Sequence, residues 1–225
     1  VAKPEINIIT VEDPVEFRMR GINQVQVNNK AGMTFAAALR SILRADPDVV
    51  LIGEIRDQET ANIAIEASLT GHLVLSTLHT NDAPSAVTRL TEMGVEPFLL
   101  SSSLAAVMAQ RLARRLCKKC KRQDTATEAE LRTLGVPHMP DTPLPTIWRP
   151  VGCREGANTG YSGRVAIQQV MGVDSTMEDL IARGATSIDI DKAAKEQGMT
   201  TLRKDCWKKA LQGITSVEEV LRVTV

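Results

Sequence analysis

Aromatic side chains are scarce in this chain: three phenylalanines, two tryptophans and one tyrosine make up 3% of its 225 residues. So few rings leave little on which exposed bases could stack, which argues against a single-stranded nucleic-acid binder. An excess of one charge is missing too. Lysine plus arginine and aspartate plus glutamate stand at 27 each, so no net field draws the chain toward nucleic acid or an anionic membrane. No apolar run approaches the roughly 18 residues that span a bilayer, and the start lacks the pattern of a signal peptide. Four cysteines are too few for a disulfide scaffold. They suit a reducing compartment, and Cys117 and Cys120 have the spacing of a metal or redox pair.

What is present is ordinary for a globular protein: 43% hydrophobic and 24% charged residues, in a length that allows one substantial core and a smaller satellite. NIITV (7–11) is a short β-branched run of the kind buried on both faces of a parallel sheet. GINQVQV (21–27) alternates and suits a hairpin arm or edge strand. Thr34 caps a helix carrying Phe35, Ala38, Leu39, Ile42 and Leu43, which stops before Pro47. A strand at Val49 to Ile52 follows, then a helix capped by Asp57 and ending near Gly71. Leu73 to Leu75 reads as a third buried strand. Asn81 or Asp82, with Pro84, opens a helix that closes at Gly94, and a longer helix is expected from Pro97 to about Leu116.

This alternation predicts a three-layer α/β domain with a mainly parallel sheet. Residues 121–150 read as a loop-rich excursion, with four of the ten prolines between 137 and 145. From Ser175 onward the pattern is helical, ending in a capping box at Ser216-Val217-Glu218-Glu219. The expected divisions are an α/β core over 1–116, a cysteine-motif region over 117–168 and a helical subdomain over 169–225.

In open α/β sheets, ligands bind beyond the carboxyl ends of the strands. Three strand ends here deliver polar groups to that edge: Glu12 and Asp13, then Glu54, then Thr77 and His79. One acid there is an ordinary helix cap. Three such ends together are what Mg²⁺ and an attacking water need in nucleotide hydrolysis.

These residues carry a resemblance. NIITVEDPVEF resembles the aspartate box of the secretion ATPases that drive type IV pili and type II secretion. DPDVVLIGEIRDQETA resembles their Walker B segment and TGHLVLSTLHTNDA their histidine box. GMTTLRKDCWKKALQGITSVEEVLRVT resembles their C-terminal helical region, and GINQVQVNNKAGMTF is closer to pilus-extension motors than to type II secretion motors.

The resemblance implies a partial RecA-like P-loop NTPase core working in a homo-hexamer, with ATP and Mg²⁺, at the cytoplasmic face of the inner membrane. Such motors couple ATP hydrolysis to pilin movement through a membrane platform protein. Glu54 would be the Walker B acid acting on the Mg²⁺-associated water, and Glu12 would help activate or position that water. Asp13 would belong to the same nucleotide and Mg²⁺ site, and His72 and His79 would lie near the phosphates. For His72 the alternative is a turn residue after a helix-ending glycine. Arg56 and Asp57 would brace the site by ion pairing.

A motor of this kind also needs a G-x-x-x-x-G-K-[ST] loop to hold the phosphates. The chain has no Gly-Lys dipeptide. The family carries that loop upstream of the aspartate box, so the expectation is a piece cut from something longer, inactive alone.

Cys117-Lys118-Lys119-Cys120 would be the first knuckle of a structural zinc site. GCREGANTGYSGR resembles the family's second knuckle, but there Cys153 is followed by Gly156 in the other cysteine's place. A three-cysteine Zn²⁺ site and an unmetallated knuckle both stay open, with His138 as a conceivable fourth ligand; a redox pair is the weaker reading. Cys206 reads as a packed thiol, and Gln169 stands where relatives carry glutamate. Arg111, Arg114, Arg115, Lys118, Lys119, Lys121 and Arg122 form a basic cluster. It reads as a contact for the platform protein or the anionic leaflet; no specific nucleic acid is expected. The competing classes are a zinc-knuckle nucleic-acid module and a RecA-like recombinase or helicase.

Overall fold

The computed structural model describes residues 3 and 5–224; Val1 lies outside them. The chain forms two compact units, 1–107 with 172–193 and 108–171 with 194–225.

The first unit is built on a four-stranded sheet of β1 (Ile8–Glu12), β2 (Asn23–Gln26), β3 (Val49–Ile52) and β4 (Leu73–Ser76), ordered β2-β1-β3-β4. Every pairing is parallel, with Ile8 beside Val49 and Val49 beside Leu73. β1 is buried on both faces, including Thr10, and explains its unbroken β-branched run. GINQVQV is an edge strand, parallel to β1 rather than a hairpin arm. β4 is the other edge. It is not the buried strand its composition predicts, because no further strand pairs beyond it among the described residues, and Leu73 and Leu75 are 49% and 43% exposed.

The helices obey their caps. Thr34 Oγ1 accepts from the N–H of Ala37 at the start of α1 (Phe35–Ile42), and Asp57 Oδ1 from that of Thr60 at the start of α2 (Gln58–Leu69). Asp82 Oδ1 accepts from Ser85 N at α3 (Pro84–Glu92). α1 and α2 pack together, and against β1 and β4 respectively.

The helix expected from Pro97 to Leu116 does not form. α4 (Pro97–Ser103) ends in three serines whose hydroxyls donate to carbonyls of their own turn: Ser101 and Ser102 to Phe98, Ser103 to Leu100. Such local bonds compete with helix propagation. Residues beyond it form β5 (Ala106–Leu116), which pairs with β8 (Tyr161–Gly172). Side-chain burial in β5 alternates, with Val107, Ala109, Arg111 and Ala113 turned inward, so strand pairing overrides the helical propensity of Ala, Leu, Gln and Arg.

The excursion over 121–150 is more ordered than its prolines suggest. β6 (Arg122–Thr125) and β7 (Thr146–Arg149) pair antiparallel, and between them lies α5 (Glu128–Leu134). Thr127 and Glu130 form a full capping box there, and Gly135 closes the helix in the left-handed conformation. The helical end of the chain is α6 (Ser175–Ala182), α7 (Ser187–Glu196), α8 (Leu202–Leu211) and α9 (Val217–Val223). In the second unit Leu131, Ile147, Ile167, Cys206 and Val220 share one core. Cys206 is fully buried there as a packed thiol, and burial pushes it up to about 12. Gln169 is buried and donates to Met199 Sδ at 3.5 Å.

Arg149 ties this unit together. Its guanidinium reaches Glu130 at 2.5 and 2.9 Å, Asp124 at 2.9 Å and Glu218 at 3.1 Å. The Arg149 bonds hold the Glu130 carboxyl down at about 2, against 4.5 for a free glutamate. A depressed folded value stabilises above the unfolded value and is lost as pH falls through the folded one. Unfolding by urea, followed through Trp148 and Trp207, both in this unit, should therefore show constant stability above pH 5 and a progressive loss from about 4.5 to 2.

Candidate functional site

The loops leaving β1, β3 and β4 are stitched at the carboxyl edge of the sheet. Gly53 N donates to Val11 O at 2.7 Å, Thr77 Oγ1 to Gly53 O at 2.6 Å, and Ile55 N to Thr77 O at 3.1 Å. Gly53 is there because the strands approach closely: a Cβ would stand 3.1 Å from Val11 O and 3.4 Å from Glu12 Cα. This clamp fixes Glu54, whose side chain is only 13% exposed.

Glu54 Oε2 accepts from Arg56 Nε and lies 3.3 Å from His79 Nε2. The Arg56 hydrogen bond, opposed by burial, keeps the Glu54 carboxyl below the usual range. Glu54 in turn raises Arg56, to which the Asp13 charge adds. Asp13 itself is exposed. Asp57 does not join the ion pairs; both its oxygens cap α2 through Thr60.

Glu12 ends β1. Its Oε1 accepts from Thr10 Oγ1 at 2.6 Å and Gln24 Nε2 at 2.9 Å, and Gln24 also donates to Phe17 O. Thr10 and Gln24 hold this carboxylate, and sequence reasoning passed over both. A signal was available: Thr10 sits two residues before Glu12, on the same face of the strand. Gln24 is Thr10's partner in the β1–β2 register.

The structure gathers Glu12, Asp13, Glu54, Arg56 and His79 at one edge. It does not bring His72 there. His72 precedes β4, at the amino edge of the sheet, where its Nδ1 lies 3.0 Å from Ala67 O and 3.1 Å from Thr70 Oγ1. In this chain His72 closes α2.

The second candidate lies in the other unit. Cys117 and Cys120 sit between β5 and β6, and Cys153 follows β7. Their sulfurs lie within 4.8 Å of one another, Cys117 to Cys153 at 3.8 Å. Burial raises the Cys120 thiol, while the backbone N–H of Gly156 lowers Cys153. Among the described residues this group contains no histidine or carboxylate. His138 is elsewhere, 3.3 Å from Thr142 Oγ1.

Part of the basic cluster is engaged internally. Arg114 binds Glu219 and lies 4.1 Å over the Tyr161 ring; Lys121 donates to Gly213 O and lies 4.4 Å over Trp148; Lys119 pairs with Glu155. These contacts reduce what the cluster could offer to phosphates.

The chain as a whole is similar to known proteins. The family described as "Type II/IV secretion system protein" matches residues 1–222. The chain belongs to this secretion-system family. The type IV pilus assembly ATPase PilB of Thermus thermophilus is 50% identical over 225 residues, covering 100% of the chain and 25% of that protein. Type II secretion system protein E of Pseudomonas aeruginosa is 55% identical over 218 residues, covering 97% of the chain and 43% of that protein. The chain thus spans between a quarter and under half the length of these relatives. Among solved structures, the pilus retraction motor PilT with bound ADP superposes at a TM-score of 0.69, with 25% identity over 97% of this chain and 52% of that one. The fold is α/β with a parallel sheet, like that of this motor, and among the described residues no helix is long and apolar enough to cross a membrane.

Proposed function

We propose that this chain is the catalytic-edge and C-terminal part of a hexameric motor that couples ATP hydrolysis to pilin polymerisation in type IV pilus extension. The observation that carries the reading is the convergence of Glu12, Asp13, Glu54, Arg56 and His79 at the carboxyl edge of one parallel sheet. Carboxylates at such an edge fit Mg²⁺, which is bound through one or two of them together with substrate phosphates. The chain has no Gly-Lys dipeptide, so a phosphate-binding loop of the usual pattern would come from a segment outside it. ATP with Mg²⁺ supplies the cleavable phosphoanhydride.

Glu54 orients the attacking water rather than stripping its proton. The Arg56 contact lowers its basicity, and a weak base positioned by a rigid clamp serves geometry better than proton abstraction. Glu12, held by Thr10 and Gln24, presents a second carboxylate to the same water or metal. His79, 87% exposed, is free to follow the state of the phosphates. Partners on this reading are further copies of the chain and an inner-membrane platform protein, at the cytoplasmic face. Type II secretion is the second reading, supported by the 55% identity to protein E.

In the second unit, three thiolates within 4.8 Å fit a soft or borderline cation such as Zn²⁺. Cys117, Cys120 and Cys153 would hold it.

The test is Mg²⁺-dependent ATP turnover by these 225 residues and by the polypeptide extended upstream of Val1. The extended form turns over ATP, and the 225 residues alone show no more activity than their own Glu54→Gln variant. An extended form without turnover sinks the motor reading.

A further inference from the structure

We propose that Cys117, Cys120 and Cys153 form a three-thiolate centre, which holds zinc only with a fourth ligand from outside the chain and takes trigonal, thiophilic cations unaided. The proposal rests on the metal reading above and goes beyond it in the coordination number and the ions favoured.

The argument begins at Gly156. A Cβ added there would lie 3.4 Å from Cys117 Cβ and 3.3 Å from Tyr161 O, so the position faces the thiol cluster. Gly156 is buried and its φ is outside the left-handed region, so an L-residue fits its backbone angles once Tyr161 O gives by a few tenths of an ångström. A cysteine would put a fourth sulfur beside the other three; glycine puts none. Among the described residues no histidine or carboxylate lies in the group: the neighbouring Glu155 pairs with Lys119, His138 is bonded elsewhere, and Cys206 is packed in the core.

Structural zinc is almost always four-coordinate, whereas three protein ligands leave one position to water or an added ligand. Lead(II), whose lone pair occupies one side of its coordination sphere, is satisfied by three thiolates. An external ligand has a route in, since Cys120 and Cys153 are only half-buried and Cys117 borders a cavity of about 540 Å³ with Arg115, Lys118, Lys119 and Glu155. The cations around it suit a small anionic thiol.

The chain and its Gly156→Cys variant, kept reduced with a phosphine, are titrated with Zn²⁺, Pb²⁺ and Co²⁺. The thiolate-to-cobalt charge-transfer intensity should correspond to three sulfurs in the chain and four in the variant. Zinc affinity should rise in the variant by at least the roughly 10- to 100-fold that loss of a supporting partner costs at metal sites. Lead affinity should stay unchanged. A second arm needs no variant: added 2-mercaptoethanol should tighten zinc in the unmodified chain and leave lead as it was. Four sulfurs around cobalt in the unmodified chain, or equal gains for zinc and lead, overturn the three-thiolate assignment alone. Failure of the chain to take up any of the three ions overturns the metal reading with it.

Discussion

In the polypeptide extended upstream of Val1, Glu54→Gln should lower Mg²⁺-dependent ATP turnover by about 10²-fold or more, the scale for loss of a group that positions the reacting water. Glutamine keeps the shape of the side chain and can still accept from Arg56, so the clamp formed by Gly53 and Thr77 stays closed. What is lost is the negative charge, held ionised below the usual range by Arg56, that faces the water and the metal. Nucleotide binding, measured by fluorescence of a labelled analogue, should survive, because the phosphates would be held from outside this chain. Turnover within a few-fold of the parent would remove Glu54 from the mechanism. As pH falls through its lowered value, the parent should lose activity as Glu54 protonates, at a lower pH than a free glutamate would set.

The second large effect concerns stability. Glu219→Ala should destabilise the unit holding Trp148 and Trp207 by about 3 kcal/mol, between the cost of an orphaned donor and that of a broken buried ion pair. Glu219 is fully buried. Its oxygens accept from the backbone N–H of Arg114 at 2.6 Å, from the Arg114 guanidinium at 2.9 and 2.8 Å, and from Arg222 at 2.7 and 2.6 Å. Burial raises its carboxyl, but these five contacts outweigh that and hold it at about 2. Truncation strands the Arg114 N–H, whereas both guanidinium groups, 47% and 51% exposed, can turn to water. The cost therefore stays below that of a fully trapped charge. A loss under about 1 kcal/mol in urea unfolding would show that the network is ornamental.

Glu219 also shows where a sequence stops speaking. Ser216-Val217-Glu218-Glu219 reads as a capping box, and Ser216 Oγ does accept from Glu219 N at 3.4 Å. The returning half is missing, because the glutamate side chain has gone to Arg114, 105 residues away. Long-range partners leave no local mark. The true capping box, Thr127 to Glu130, stood in the stretch read as loop and was masked by the prolines beyond it.

β1 and β3 and the acids beyond them were legible because burial on two faces demands an unbroken apolar run, and a run that stops at an acid marks the edge. β5 was not legible, since Ala, Leu, Gln and Arg suit a helix and only pairing with β8 makes them a strand. The resemblance put both His72 and His79 near the phosphates, with a turn role left open for His72; four strand residues separate the two edges of the sheet, and His72 has the turn role. Periodicity locates an element; it does not say which end of it a histidine serves.

Metal-directed cleavage tests the central claim most directly. Fe²⁺ replaces Mg²⁺ in the extended polypeptide with ADP, and peroxide with ascorbate then cuts the backbone beside the bound ion. Cuts are predicted at Glu12-Asp13 and at Gly53-Glu54, dependent on nucleotide and suppressed by excess Mg²⁺, whatever occurs at the cysteines. Nucleotide-dependent cuts elsewhere, with both strand ends intact, would contradict the assignment of this edge as the hydrolytic site.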